Sequence, residues 1–139
     1  MSAKDLIHDA VKVALVKDGW NVTHDPLTLL YKDKNVFVDL GAQRLIAAQR
    51  DHQKIAVEIK SFVGLSIMRD LEIALGQYVM YHSFLGELEP DRQLYIAISH
   101  AAFITLIRSE AIQMLLRVNH VPLLVVNLDT EEIVSWSKT

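Results

Sequence analysis

Two charged residues stand inside the strand-like run KIAVEIKSF (residues 54–62), namely Glu58 and Lys60, placed two positions apart among Ile, Ala, Val and Phe. Side chains along a strand alternate between faces. Ile55, Val57 and Ile59 therefore point one way, while Ala56, Glu58 and Lys60 point the other. Applied to NVFVDL (residues 35–40), the same rule sets Phe37 and Asp39 opposite Val36, Val38 and Leu40. Where these two runs pair, Asp39 comes beside Glu58, and the 19 positions between them fit one intervening strand. Burying two carboxylates side by side costs several kcal/mol unless a cation separates them. Hard oxygen ligands from one or two carboxylates, completed by water and substrate phosphate, suit Mg²⁺ or Mn²⁺. Such an ion, bound by Asp39 and Glu58, lowers the pKa of a bound water, and Lys60 orients that water or stabilises developing negative charge. The reaction class is phosphodiester hydrolysis. The competing reading is a solvated Glu–Lys pair on an exposed strand face, which contributes little.

The elements that must position these groups are read from periodicity. Leu6, Ile7, Ala10, Val11, Ala14 and Leu15 recur at helical spacing and predict a helix over residues 4–18, closed by Gly19 in the left-handed conformation. Asp25-Pro26 marks a turn. LTLLY, NVFVDL, RLIAAQ and KIAVEIKSF then read as an antiparallel meander, separated by KDKN, GAQ and RDHQ. Ser66 caps a helix running to about residue 85. QLYIAIS is a strand, and a helical region broken near Ser109 leads to VPLLVVN, the turn LDTEE and a last strand IVSW. The expectation is one α/β domain over residues 1–139, a mixed sheet flanked by helices.

Composition narrows the setting. There are no cysteines, so disulfides and thiolate metal sites are excluded and a reducing cytoplasm is expected. No segment is apolar enough to span a bilayer, so no membrane association is expected. The formal charge is −3, which is not the footprint of a protein that holds nucleic acid by electrostatics alone. A role on DNA then needs a local basic face, a bound cation or a partner that supplies phosphate contacts.

Asp39, Glu58 and Lys60 in this arrangement resemble the core motif of the PD-(D/E)xK nuclease superfamily, with Val38 where that superfamily often has Pro. The superfamily often carries an acidic residue on its first helix, and Asp9 lies there. On the helix after the Lys strand it often has a Gln followed four positions later by an aromatic residue, and LGQYVMY supplies Gln77 and Tyr81. A narrower likeness spans nearly the whole chain: AKDLIHDAVKVALVKDGWNVTHDPLTL, VDLGAQRLIAAQRDHQKIAVEIKSF, LEIALGQYVMY and EPDRQLYIAI are similar to the XisH proteins, known as excision controlling factors of the fdxN DNA element.

That resemblance implies a restriction-endonuclease-like fold and a role alongside a site-specific recombinase and an XisI-type companion protein in removing a DNA element. Two functions stay open. One is a Mg²⁺- or Mn²⁺-dependent DNA endonuclease using Asp39, Glu58, Lys60 and Gln77, with Asp9 and Tyr81 in support. The other is a catalytically silent accessory protein that docks onto a recombinase or an XisI-type partner, since fold does not fix function.

Other polar residues are assigned elsewhere. His24 and Asp25 before Pro26 read as turn chemistry. The remaining histidines show no zinc-ligand spacing, and GAQ lacks the glycine pattern of a phosphate loop. Trp20 and Trp136 read as core or interface residues. The apolar runs LLVVN and IVSW suggest a sheet edge that needs cover, and with it a homo-oligomer or a partner.

Overall fold

The structure is a computed structural model and describes residues 2–46 and 51–137. Helix α1 (Ala3–Lys17) starts at Ser2, whose hydroxyl accepts the Asp5 amide, and ends before Gly19 at φ 91°, the left-handed stop expected of a residue without a Cβ. Its apolar stripe of Ile7, Ala10, Val11, Ala14 and Leu15 is buried. Three further helices follow: α2 (Ile67–Leu88) capped by Ser66, α3 (His100–Ile107) capped by Ser99, and α4 (Glu110–Val118) capped by Ser109. The break expected near Ser109 is therefore a helix start, because its hydroxyl takes the Ile112 amide.

Eight strands complete the described residues: β1 (Asn21–His24), β2 (Leu27–Tyr31), β3 (Lys34–Val38), β4 (Leu40–Ile46), β5 (Asp51–Ile59), β6 (Arg92–Ser99), β7 (Leu123–Asn127) and β8 (Glu132–Ser137). Six form one mixed sheet in the order β1-β4-β5-β6-β7-β8, parallel across β5, β6 and β7 and antiparallel elsewhere. Strands β2 and β3 pair only with each other, as a separate two-stranded sheet.

One core lies between α1 and one face of the large sheet, built from Leu15, Trp20, Leu40, Ile55, Val57 and Leu124 among others. The second fills the other face beneath α2, α3, α4 and the β2–β3 pair, with Ala56, Ile96, Ile98 and Val125 from the sheet and Leu71, Tyr81 and Leu106 from the helices. Each fully buried aliphatic side chain contributes roughly 1.5–3 kcal/mol. A mixed sheet flanked by helices is thus the architecture, as the order of elements implied.

The meander departs from expectation in two ways. NVFVDL is not one strand: the chain leaves β3 at Val38, turns at Asp39 and enters β4 at Leu40. Val38 accordingly packs in the core beneath α2 and Leu40 in the core beneath α1, so strict alternation does not carry across Asp39. GAQ is no connection but part of β4, paired with residues 54–56 of β5. Its small Gly41 and Ala42 lie fully within the sheet, where Gly41 leaves room for His24 and Arg92 side chains 3.1–3.3 Å from where a Cβ would stand. One strand, β4, does lie between Asp39 and Glu58 along the chain, as their spacing implied, and it pairs directly with β5, with Leu40 opposite Val57. Of the expected strand RLIAAQ and connection RDHQ, residues 47–50 lie outside the described residues, and Asp51 onward already belongs to β5. Strand β1 was not anticipated, because Val22 is its only apolar residue and the rest of it is exposed.

Candidate functional site

Strand β5 turns its branched residues Ile55, Val57 and Ile59 into the core beneath α1, and by alternation Glu58 goes to the opposite face, beneath α2. Glu58 is 5% exposed, a rare burial for a carboxylate. Lys60 follows directly after the strand, its amide held by the Ala97 carbonyl of β6 at 2.9 Å. Its ammonium returns to Glu58, with Nζ 3.1 Å from Oε2, and the Lys60 side chain is itself only 19% exposed.

Asp39 sits where the chain turns from β3 into β4, opposite Glu58. Its amide donates to Glu58 Oε1 at 3.2 Å, and the Ile59 amide donates to its Oδ2 at 2.8 Å. Each carboxylate is therefore tied to the other residue's strand, and their charges interact. Burial, then the negative charge of Asp39, push the Glu58 carboxyl up to about 7, against the opposing pull of Lys60 and of the Asp39 amide. Tyr81 completes the neighbourhood from α2: burial first, then the charges of Glu58 and Asp39, push its phenol up to about 12. One helical turn before it lies Gln77, half-buried, whose Oε1 is sealed from solvent and accepts no hydrogen bond among the described residues.

The structure thus gathers Asp39, Glu58, Lys60 and Tyr81, and sets Gln77 beside Tyr81 on the same helix. Asp9 is placed elsewhere. It is exposed on α1, the helix that covers the sheet face opposite Glu58, and its charge acts on Lys12. Lys12 and His8 instead bind Asp25, at 2.7 and 2.9 Å, which ties α1 to the turn ahead of β2, while His24, expected in that turn, ends strand β1. Trp20 and Trp136 pack with ring centroids 5.7 Å apart, the latter edge-on to Tyr95.

Among the described residues no group of three or more acidic or His side chains is placed to hold a metal. The carboxylates of Asp39 and Glu58 are the two groups that could hold a hard cation there. Asp70 was not singled out in the sequence. It lines a recess of about 160 Å³ together with Lys60, Ser61, Phe62 and Ile73. Its signal was a glycine, Gly64, six positions ahead of an acid in the first turn of a helix.

The family model described as XisH protein matches residues 1–134. Two solved structures are similar over nearly all of both chains. An XisH family protein from Nostoc punctiforme PCC 73102 is 34% identical with a TM-score of 0.86, and covers 95% of this chain and 98% of its own. An fdxN element excision controlling factor protein from Anabaena variabilis is 38% identical with a TM-score of 0.85, at the same coverage of 95% and 98%. No curated protein matches. Among the described residues no helix is long and apolar enough to cross a membrane.

Proposed function

We propose, from the premise that this chain belongs to the XisH family, that it serves excision of a DNA element as a metal-dependent DNA endonuclease of the PD-(D/E)xK kind. The observation that carries the reading is the meeting of the half-buried Asp39, at the turn into β4, with the buried Glu58 of β5, and the Lys60 ammonium 3.1 Å from Glu58.

Asp39 and Glu58 would hold Mg²⁺ or Mn²⁺. When bound, that ion supplies Lewis-acid polarisation of a phosphate oxygen and an acidified water. The chain's own residues do the rest. Backbone amides of Asp39 and Ile59 fix one oxygen of each carboxylate, which limits the freedom of the other. Lys60 balances the charge of Glu58 in the free protein, and in this reading it would orient the attacking water or stabilise charge on the phosphate. Gln77 offers an acceptor for a water proton, and Tyr81 stays a neutral hydrogen-bond donor at physiological pH.

The test is incubation of purified protein with supercoiled, linear and nicked DNA in Mg²⁺ or Mn²⁺. Cleavage that disappears in the Glu58→Ala, Lys60→Ala double variant is expected. Intact DNA under every condition, or equal cleavage by the double variant, overturns the catalytic reading.

A second reading, a catalytically silent factor that docks onto a recombinase or an XisI-type partner, is favoured by the charge of −3 and by two exposed apolar side chains in the loop after Lys60, Val63 and Leu65. Strand β8 lies at the edge of the sheet, where a second copy or a partner strand would pair. Absence of metal binding together with co-elution with a purified companion protein separates this reading from the first.

A further inference from the structure

Lys60 stands at the point where β5 ends and a seven-residue connection, residues 60–66, leads to α2. Apolar packing does little for the outer part of this connection. Val63 is 71% exposed and Leu65 is completely exposed, so neither is drawn inward by burial. Phe62 is the exception: its ring packs against the core beneath α2, and its backbone adopts φ 53°, a conformation costly for a residue with a Cβ. A conformation of that kind persists only where neighbouring contacts over-determine it.

Two residues beyond Phe62 the loop is held by Asp70, in the first turn of α2. Its Oδ2 accepts the Gly64 amide at 3.0 Å. The approach is so close that a Cβ on Gly64 would lie 2.6 and 2.7 Å from the two carboxylate oxygens, so a larger residue there would push the Asp70 carboxylate away. Asp70 also walls the recess in which Lys60, Ser61, Phe62 and Ile73 meet. The same carboxylate therefore ties down the far side of the loop and borders the space beside Lys60.

We propose that Asp70 is a positioning residue: by clasping the Gly64 amide it keeps the 60–66 loop folded beside Lys60, and so holds the Lys60 ammonium on Glu58. A lysine has four rotatable bonds, and holding its head group in one place forfeits most of that freedom. A wall that removes the alternative rotamers lowers this cost without touching the ammonium itself. The backbone end of Lys60 is secured independently by Ala97, so the clasp acts on the side chain and on the loop rather than on the strand. The importance of that position rests on the reading of Lys60 as a site residue, but the clasp itself does not.

The experiment observes the lysine ammonium groups by ¹H–¹⁵N NMR on the full chain, without metal or DNA, with Lys60 assigned by its loss in Lys60→Met. In the wild type the Lys60 ammonium is expected as a resolved, slowly exchanging signal. In Asp70→Ala and in Gly64→Ala, which displaces the Asp70 carboxylate, its proton exchange should rise about tenfold, as befits loss of one charge-assisted hydrogen bond. Asp70→Asn keeps an oxygen for the Gly64 amide and should preserve the signal. The proposal is overturned if the wild-type signal matches those of exposed lysines, if it is unchanged in both Asp70→Ala and Gly64→Ala, or if Asp70→Asn loses it as completely as Asp70→Ala. Because no metal or DNA is present, a held Lys60 in a protein that cleaves nothing would sink the nuclease reading and leave the clasp standing.

Discussion

Asp39 and Glu58 hold one another across two strands by a reciprocal pair of hydrogen bonds: the Asp39 amide donates to Glu58 Oε1 at 3.2 Å, and the amide of Ile59, next to Glu58, donates to Asp39 Oδ2 at 2.8 Å. Two carboxylates that repel are thereby fixed in place by backbone groups that cannot move without unpairing the sheet. The energy of folding maintains the repulsion, and a dication would relieve it.

Asp39→Ala follows directly from that geometry. Without metal the substitution leaves the Ile59 amide unpaired, at a cost of about 1–3 kcal/mol, and also removes the charge that opposes Glu58, so net stability should change by less than that cost. With Mn²⁺ present the wild type gains stability in proportion to occupancy and the variant does not. Calorimetric titration paired with denaturant unfolding checks both halves. Equal metal response in the two proteins would refute the ligand assignment.

The stability of the metal-free protein should fall as pH rises from about 4.5 to above 7. The Glu58 carboxyl is pushed up to about 7 in the fold from an ordinary value of 4.5, so over this interval the folded state binds the proton and the unfolded state does not. The full loss amounts to roughly 3 kcal/mol, in place by pH 8. Glu58→Gln should flatten this slope, and saturating Mn²⁺ should remove it in the wild type. Urea midpoints measured from pH 4.5 to 8 report the difference, and a flat wild-type profile contradicts it.

Gln77→Met should separate stability from function. The buried Oε1 has no hydrogen-bond partner among the described residues, and replacing the amide by a thioether of similar shape should stabilise the metal-free fold by about 1 kcal/mol. If Gln77 holds a water at the metal, the same substitution weakens Mn²⁺ binding. A variant that is both less stable and unimpaired in binding would show that the amide serves the fold alone.

Arg92 provides a control remote from these charges. Its guanidinium is buried, donating to the Ile55 carbonyl at 2.9 Å and to Glu89 Oε1 at 3.1 Å, and it joins β5 to the segment after α2. Arg92→Ala removes both bonds and opens a cavity, so a loss of about 3 kcal/mol is expected, with metal affinity unchanged once the protein is folded. Thermal unfolding and Mn²⁺ titration at low temperature measure the two quantities separately.

Much of this was legible before any coordinates. The stripe of α1, its stop at Gly19, the Ser66 cap of α2 and the break at Ser109 all rest on contacts within a few residues, which sequence spacing displays directly. Glu58 and Lys60 sharing a face is likewise a local property of one strand. What failed was the stretch from Asn35 to Gln43. Strict alternation does not pass Asp39, where the chain leaves one sheet for another, and the small residues of GAQ, which read as a connection, form a strand under close neighbours.

By itself, then, the sequence determined which residues can do chemistry, which faces of α1, α2 and β5 are apolar, and where the helices begin and end. Only the tertiary structure decided that Asp39 sits where the chain passes from one sheet to the other, that Asp9 lies on the helix covering the opposite face, and that Asp70 reaches back to Gly64. The reason is physical. Helical stripes and strand alternation follow from bond geometry along the chain, whereas strand partners, sheet breaks and loop tethers are chosen by which distant surfaces can be buried together at the least cost in unpaired polar groups.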